Sequence, residues 1–289
     1  MAAEHPPPHA VREAVGRALA EDLTPLGDIT SALLPADATA SAAFVPRAAG
    51  VLAGRRCAEE TFAAVDPSVS LSWDADDGDE LVAGAPFARV AGSLASVLTA
   101  ERTALNFLGH LSGVATLTRR FVEAAGAGTR IWDTRKTTPG LRSLEKAAVR
   151  AGGGANHRGN LGDWVLLKDN HLSVLGITDA VRQAHDRWPA RTVHVECDHH
   201  DQLVEAVEAG ADAVLLDNMA HDELARCVAT ARRLVAERAG RSVLLEASGG
   251  ITLDTVGAVA NTGVDLISTG AMTNSAPVLD IGLDLTGGA

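Results

Sequence analysis

The sequence predicts an α/β protein in two parts: a small strand-rich domain, then a parallel sheet covered by helices. Three observations predict it. After Arg130, apolar runs alternate with helical stretches about six times. Polar and charged residues fall repeatedly at the C-terminal ends of those runs. Finally, a chain of formal net charge -12 gathers Arg135, Lys136, Arg142, Lys146, Arg150, His157, Arg158 and Lys168 into one stretch. An acidic protein that concentrates its cations in this way is built to hold an anion there.

The length of 289 residues suits two modest domains or one large one. Hydrophobic residues make up 46% and aromatics only 3%, with no Tyr, so Ala, Val and Leu must fill the core. The acidic balance argues against a general nucleic-acid or anionic-membrane binder, while a local field still permits small anionic substrates. Cys57, Cys197 and Cys227 are scattered and odd in number, with no CxxC pair, so a disulfide framework is not expected and a reducing cytoplasm is. The Pro-rich run Met1–His9 lacks the apolar core of a signal peptide, and no segment is long and apolar enough to cross a membrane.

In chain order, Val11, Val15, Leu19 and Leu23 recur every four residues and predict an amphipathic helix. Pro25 and Gly27 end it. Residues 41–46, 50–54, 69–73 and 87–91 read as strands, and 55–65 as a helix. The acidic stretch 74–84 reads as a turn region. Residues 93–125 form a long, mostly apolar helix that Gly109 or Gly113 could break, carrying Glu101 and Arg102 as a bridge between domains. The expected strands that follow are 131–132, 164–167, 193–195, 213–216, 243–245 and 266–267. Helices are expected at 141–150, 177–187, 201–209, 222–237 and 253–260. This is a parallel sheet, either open and doubly wound or closed into a barrel.

In a barrel the C-terminal ends of all strands open into one mouth, where such enzymes place their chemistry. Asp133 and Arg135, Lys168, Glu196 and Asp198, Asp217 and Asn218, Glu246 and Ser248, and Ser268 and Thr269 lie at those ends. Arg135, Lys136, His157, Arg158 and Lys168 make a cationic set suited to carboxylate or phosphate recognition. Glu196 and Asp217, with Glu246 as a third candidate, make an acidic set that can hold Mg²⁺ or stabilise a developing positive charge. Ser248-Gly-Gly-Ile251 reads as a phosphate cradle opening a helix, or as a plain tight turn. Gly152-Gly-Gly154 is a second nest or a helix stop. No Walker A motif and no GxGxxG after a strand occur. His157 and His171 do not make a metal site by spacing, and His194, inside a strand, reads as structural. No arrangement for nucleophilic catalysis can be defended.

Thr134-Arg-Lys-Thr-Thr-Pro-Gly-Leu-Arg142, Leu144-Glu-Lys146, Gly152-Gly-Gly-x-Asn-His-Arg158, Lys168-Asp-Asn-His171, Leu215-Leu-Asp-Asn-Met219 and Glu246-Ala-Ser-Gly-Gly-Ile251 resemble the quinolinate phosphoribosyltransferase family. Glu101-Arg-Thr-Ala-Leu-Asn106 with Leu111-Ser-Gly113, and Gly27-Asp-Ile-Thr-Ser31, extend the resemblance over nearly the whole chain. It implies transfer of phosphoribosyl from 5-phosphoribosyl 1-diphosphate to quinolinate with decarboxylation, giving nicotinate mononucleotide on the de novo route to NAD.

The resemblance further implies an N-terminal α/β sandwich over 1–113, a C-terminal incomplete barrel over 114–273 and a returning segment over 274–289. It implies a homodimer, or a higher assembly, in which Arg102 reaches the neighbour's site. Arg135, His157, Arg158 and Lys168 are expected to bind the quinolinate carboxylates, and Lys136 the diphosphate end of the donor. Glu196 and Asp217 are expected at the ribose and Mg²⁺, and Ser248, Gly249, Gly250 and Gly270 around the 5-phosphate. Lys136, Glu196 and Asp217 are thus the catalytic candidates. Ala147, Gly159-Asn160, Gly162, His194 and Asn274 depart from the family pattern. They leave open a same-fold relative acting on another pyridine or pyrimidine carboxylate, and a non-catalytic anion-binding protein.

Overall fold

Proline at its first positions starts α1 (Pro8–Leu23), whose buried Val11, Ala14, Val15 and Leu19 form the expected stripe. The computed structural model describes residues 5–237 and 242–286, so residues 1–4 and 287–289 of the expected terminal stretches lie outside the described residues. Next come β1 (Thr39–Pro46), β2 (Gly50–Val51), α2 (Arg55–Val65), β3 (Ser70–Trp73), β4 (Glu80–Leu81), β5 (Ala88–Ser93) and α3 (Leu94–Ala125). They are followed by β6 (Arg130–Trp132), α4 (Arg142–Ala151), β7 (Val165–Leu167), α5 (Asp169–Leu175), α6 (Ile177–Arg187), β8 (Val193–Cys197) and α7 (His200–Ala209). The chain continues through β9 (Ala213–Asp217), α8 (His221–Glu237), β10 (Leu244–Ser248), α9 (Val256–Ala260), β11 (Leu266–Ser268), α10 (Ala271–Asn274) and β12 (Ile281–Leu285).

Two compact units form: Met1–Arg119 with Lys136–Gly153 and Met272–Ala289, and Arg120–Arg135 with Gly154–Ala271. The first contains the antiparallel sheet β12-β1-β5-β3, so the last strand pairs with the first across the length of the sequence. Few aromatics are available, and four of them meet in this core. Phe44 is fully buried, with the rings of Phe62, Trp73 and Phe87 centred 6.0–6.1 Å away. Phe44→Ala is expected to cost about 3–5 kcal/mol, because a cavity is left where no neighbouring side chain can collapse. Chemical denaturation checks this as a lowered midpoint with unchanged slope.

α3 runs unbroken through Gly109 and Gly113, contrary to the expected break. Those glycines serve close approach instead. A Cβ on Gly113 would stand 2.1 Å from the Pro277 carbonyl oxygen, and Leu279 N–H donates to Gly109 O at 3.0 Å. In Gly27-Asp-Ile-Thr-Ser31, Asp28 accepts from Ser31 N–H and Oγ, from Thr30 N–H and from Thr99 Oγ1. These bonds, that of the Ser31 hydroxyl foremost, hold its carboxyl down at about 2.

The second unit holds six parallel strands in the order β6-β11-β10-β9-β8-β7. Consecutive strands are neighbours and the first lies beside the last, so the sheet is a barrel with one open seam, between β6 and β7. Ala155 enters that seam, bridging Trp132 in parallel. All six strands run the same way, so all their C-terminal ends share one edge. α5 was not foreseen: His171 Nδ1 accepts the Lys168 N–H at 3.0 Å and so caps a helix that lacks any buried residue.

Candidate active site

The first strand end is organised by a buried carboxylate. Asp133, just past β6, accepts the His157 N–H at 2.8 Å and the Asn156 amide at 2.7 Å. That fixes the Asn156-His157-Arg158 loop at the barrel seam. The His157 ring packs among Trp164, Trp132 and His194, at centroid distances of 4.8, 6.0 and 6.0 Å. Arg158 is buried beside it. Burial and the neighbouring Arg135 guanidinium push Arg158 below its ordinary value, against the opposing pull of Glu196, Asp163 and Glu246. Two guanidinium groups held near one another with little water form a site that an anion stabilises.

Lys168 caps the end of β7, and its Nζ pairs with Glu196 Oε2 from β8. Glu196 pairs in register with Leu215 of β9, so Asp217, two residues on, faces the same side of the sheet. Asn218 holds the Asp217 carboxylate through Nδ2 at 2.7 Å. It does so with φ at 54°, the sole non-glycine in the left-handed region among the described residues. Its N–H donates to Ser248 O at 2.9 Å, tying the β9 end to the β10 end.

Gly249 and Gly250 follow with φ of 93° and 59°, where a side chain is strained. At Gly249 a Cβ would also stand 2.2 Å from Asn218 Oδ1. This turn, not a helix N-terminus, offers the backbone amides, because α9 starts only at Val256. Thr252 and Thr255 delay it, with Thr252 N–H on Thr255 Oγ1 at 3.0 Å. Ser248 Oγ and Ser268 Oγ stand 3.1 Å apart, within hydrogen-bond reach, and Gly270 follows two residues after Ser268.

The structure therefore brings Arg135, His157, Arg158, Lys168, Glu196, Asp217, Ser248, Gly249, Gly250 and Gly270 to one edge of the second unit. Lys136, next in the chain to Arg135, belongs to the first unit, where its carbonyl accepts from Thr273 Oγ1 at 2.7 Å. Arg102 also belongs to the first unit, on α3, lining a cavity of about 320 Å³ with Asn106 and Asp280. The remaining cations divide off. Arg142, Lys146 and Arg150 stand four apart along α4, as a helical stripe. Gly152 is a helix stop: a Cβ there would stand 2.4 Å from Ala115 O.

Two residues take other places than expected. Glu246 is fully buried inside β10, and His194, read as merely structural, faces it with Nε2 3.3 Å from Oε2. Their only sequence signal was a charged and a titratable residue inside apolar strands. Among the departures, Gly159-Asn160 forms a turn that Asp163 clasps, accepting Gly159 N–H at 2.6 Å and the Asn160 amide at 2.7 Å. Ala147 is buried in α4, and Asn274 ends α10.

A parallel barrel whose strand ends carry a buried guanidinium group, further cations, carboxylates and a glycine turn is an enzyme layout for small, multiply charged substrates. The quinolinate phosphoribosyl transferase N-terminal domain matches residues 28–112 and the C-terminal domain matches 114–284. The chain is 42% identical to a nicotinate-nucleotide pyrophosphorylase (carboxylating) of Mycobacterium leprae, covering 96% of this chain and 97% of that one. It is also 42% identical to a probable enzyme of the same name from Methanothermobacter thermautotrophicus, covering 92% and 94%. The nicotinate-nucleotide pyrophosphorylase structure from Francisella tularensis superposes with a TM-score of 0.92 at 37% identity, covering 99% of both chains. The chain belongs to the quinolinate phosphoribosyltransferase family and is a phosphoribosyltransferase.

Proposed function

We infer that this chain transfers the phosphoribosyl group of 5-phosphoribosyl 1-diphosphate to quinolinate with decarboxylation, releasing diphosphate and CO₂ and forming nicotinate mononucleotide. One observation carries the reading: Arg135, His157, Arg158 and Lys168 stand with Glu196 at the strand ends of a barrel whose chain matches both family domains. Quinolinate is a dianion, and binding it requires such a set.

Arg135, His157, Arg158 and Lys168 hold the two carboxylates and orient the ring nitrogen. An arriving carboxylate competes with Glu196 for Lys168, and releases Glu196 towards the ribose. The bond from ribose C1 to the diphosphate oxygen breaks with its electron pair leaving on diphosphate, beside Lys136. The cationic carbon that develops is stabilised by Glu196 and Asp217. The quinolinate nitrogen lone pair then forms the new bond to C1. The resulting pyridinium accepts the electron pair as CO₂ leaves from the adjacent carbon, which afterwards takes a proton. Position and charge, with no covalent enzyme intermediate, account for the chemistry.

Glu196 and Asp217 fit Mg²⁺, since two carboxylates on one face of adjacent strands provide hard oxygen donors beside a phosphate-bearing substrate. When bound, the ion neutralises the diphosphate charge. Ser248, Gly249, Gly250 and Gly270 hold the 5-phosphate. Arg102 serves the neighbour's site in a homodimer, and three buried free thiols suit a reducing cytoplasm. The test is turnover of the purified chain with quinolinate and 5-phosphoribosyl 1-diphosphate. Nicotinate mononucleotide is expected to form with Mg²⁺, to fall at least 100-fold with excess chelator, and to recover when Mg²⁺ is restored. Absence of product under all three conditions contradicts the reading.

A further inference from the structure

Beneath the cationic set, His157 meets two buried residues that the transfer reaction does not use, Glu246 and His194. Glu246 comes from β10, its exposure zero. Its Oε1 accepts the Ser268 hydroxyl from β11. Its Oε2 faces two imidazoles, 3.4 Å from His157 Nε2 and 3.3 Å from His194 Nε2. Neither Glu246 Oε2 nor His194 Nε2 makes a hydrogen bond within the described residues. A fully buried carboxylate is costly unless its neighbours compensate it, and here that compensation falls to Ser268 and the two imidazoles.

Burial pushes the Glu246 carboxyl up, but His157, His194 and Ser268 together outweigh it and hold it below its ordinary value. Burial pushes His194 down to about 4, against the pull of Glu246, so at neutral pH it stands as a neutral dipole. Glu246 therefore answers chiefly to His157, the residue that Asp133 fixes by its backbone and Trp132 and Trp164 confine by its ring. We propose that Glu246, braced by Ser268 and His194, is a positioning residue that aims the His157 ring at the acceptor and thereby sets selectivity for the dicarboxylate quinolinate over monocarboxylates. This rests on the acceptor assignment above and adds to it a residue that touches no substrate.

The test uses the full chain and the variants Glu246→Gln, Glu246→Asp, Ser268→Ala and His194→Gln. Glu246→Gln is expected to weaken quinolinate binding at least tenfold by calorimetry, to raise the quinolinate KM alike, and to leave the 5-phosphoribosyl 1-diphosphate KM within twofold. Glu246→Asp should recover part of the loss, and Ser268→Ala and His194→Gln should each weaken quinolinate about threefold or more. Without any substrate, ¹⁵N spectra should show the His157 and His194 Nε2 signals moving together in Glu246→Gln. Unmoved signals, or quinolinate binding within twofold of the parent, overturn the proposal. Should Glu246→Gln not fold, unchanged quinolinate binding in both Ser268→Ala and His194→Gln overturns it equally.

The same three ligand atoms, all within 4.8 Å of one another, are the arrangement a metal ion takes. One equivalent of tightly held zinc by elemental analysis would replace the positioning role and overturn the proposal. If the parent chain does not bind quinolinate at all, the acceptor assignment fails, while the histidine signals still decide the pairing.

Discussion

Arg158→Ala is expected to lower kcat/KM for quinolinate by about 10²–10³-fold, while the KM for 5-phosphoribosyl 1-diphosphate changes less than threefold. The magnitude follows from removing a buried, charge-paired donor, worth roughly 3–4 kcal/mol, each 1.4 kcal/mol being a factor of ten. Arg158 sits beside Arg135, whose charge opposes its own, while Glu196, Asp163 and Glu246 pull the other way. Without substrate its loss relieves repulsion, so the variant should be no less stable than the parent. With substrate it leaves one carboxylate without its fork of donors. Arg158→Lys keeps the charge but not the fork, and should recover only part of the activity. Initial rates at varied concentrations of each substrate, with thermal unfolding alongside, separate these effects. A variant that loses stability and affinity for both substrates alike would show that Arg158 holds the loop, not the acceptor.

Gly249→Ala is expected to damage the donor side. At φ of 93° any side chain is strained by about 1–3 kcal/mol, and a Cβ 2.2 Å from Asn218 Oδ1 forces the turn or Asn218 to move. Asn218 in turn orients Asp217 through its amide. The substitution therefore reaches both the phosphate turn and the ribose carboxylate. The KM for 5-phosphoribosyl 1-diphosphate should rise tenfold or more and the melting temperature should fall by several degrees. Asn218→Gly in the same chain removes the side-chain clash, yet leaves the Asn218 backbone nitrogen 2.8 Å from the new Cβ. Melting temperature should then recover in part while activity does not, because Asp217 has lost its partner. Equal rescue of both would mean that Asn218 matters only for packing.

What was legible in the sequence was whatever has a local period. Strands β6 to β11 and their polar ends could be read because apolar runs alternate with helices at short spacing. The second-unit cations could be read because Arg135, Arg158 and Lys168 stand next to strand ends or glycines in the chain. What long-range packing decides was not legible. Gly109 and Gly113 resemble helix breakers until residues 277–279 are seen passing over them. Glu246 resembles another strand-end carboxylate until it is seen fully buried within β10, facing two imidazoles contributed by a loop and by β8. His194 has no local feature that marks it as more than a core residue. The start of α9 was misplaced by three residues, because Thr252 and Thr255 close a turn on one another first.

If the cationic set selects a dicarboxylate, one of the two carboxylates must leave as CO₂. Quinolinate carrying ¹³C in the carboxylate beside the ring nitrogen tests it most directly. One labelled CO₂ is expected for each nicotinate mononucleotide formed with 5-phosphoribosyl 1-diphosphate and Mg²⁺, and no comparable product from nicotinate. Product that retains the label, or equal use of nicotinate without CO₂, would contradict it.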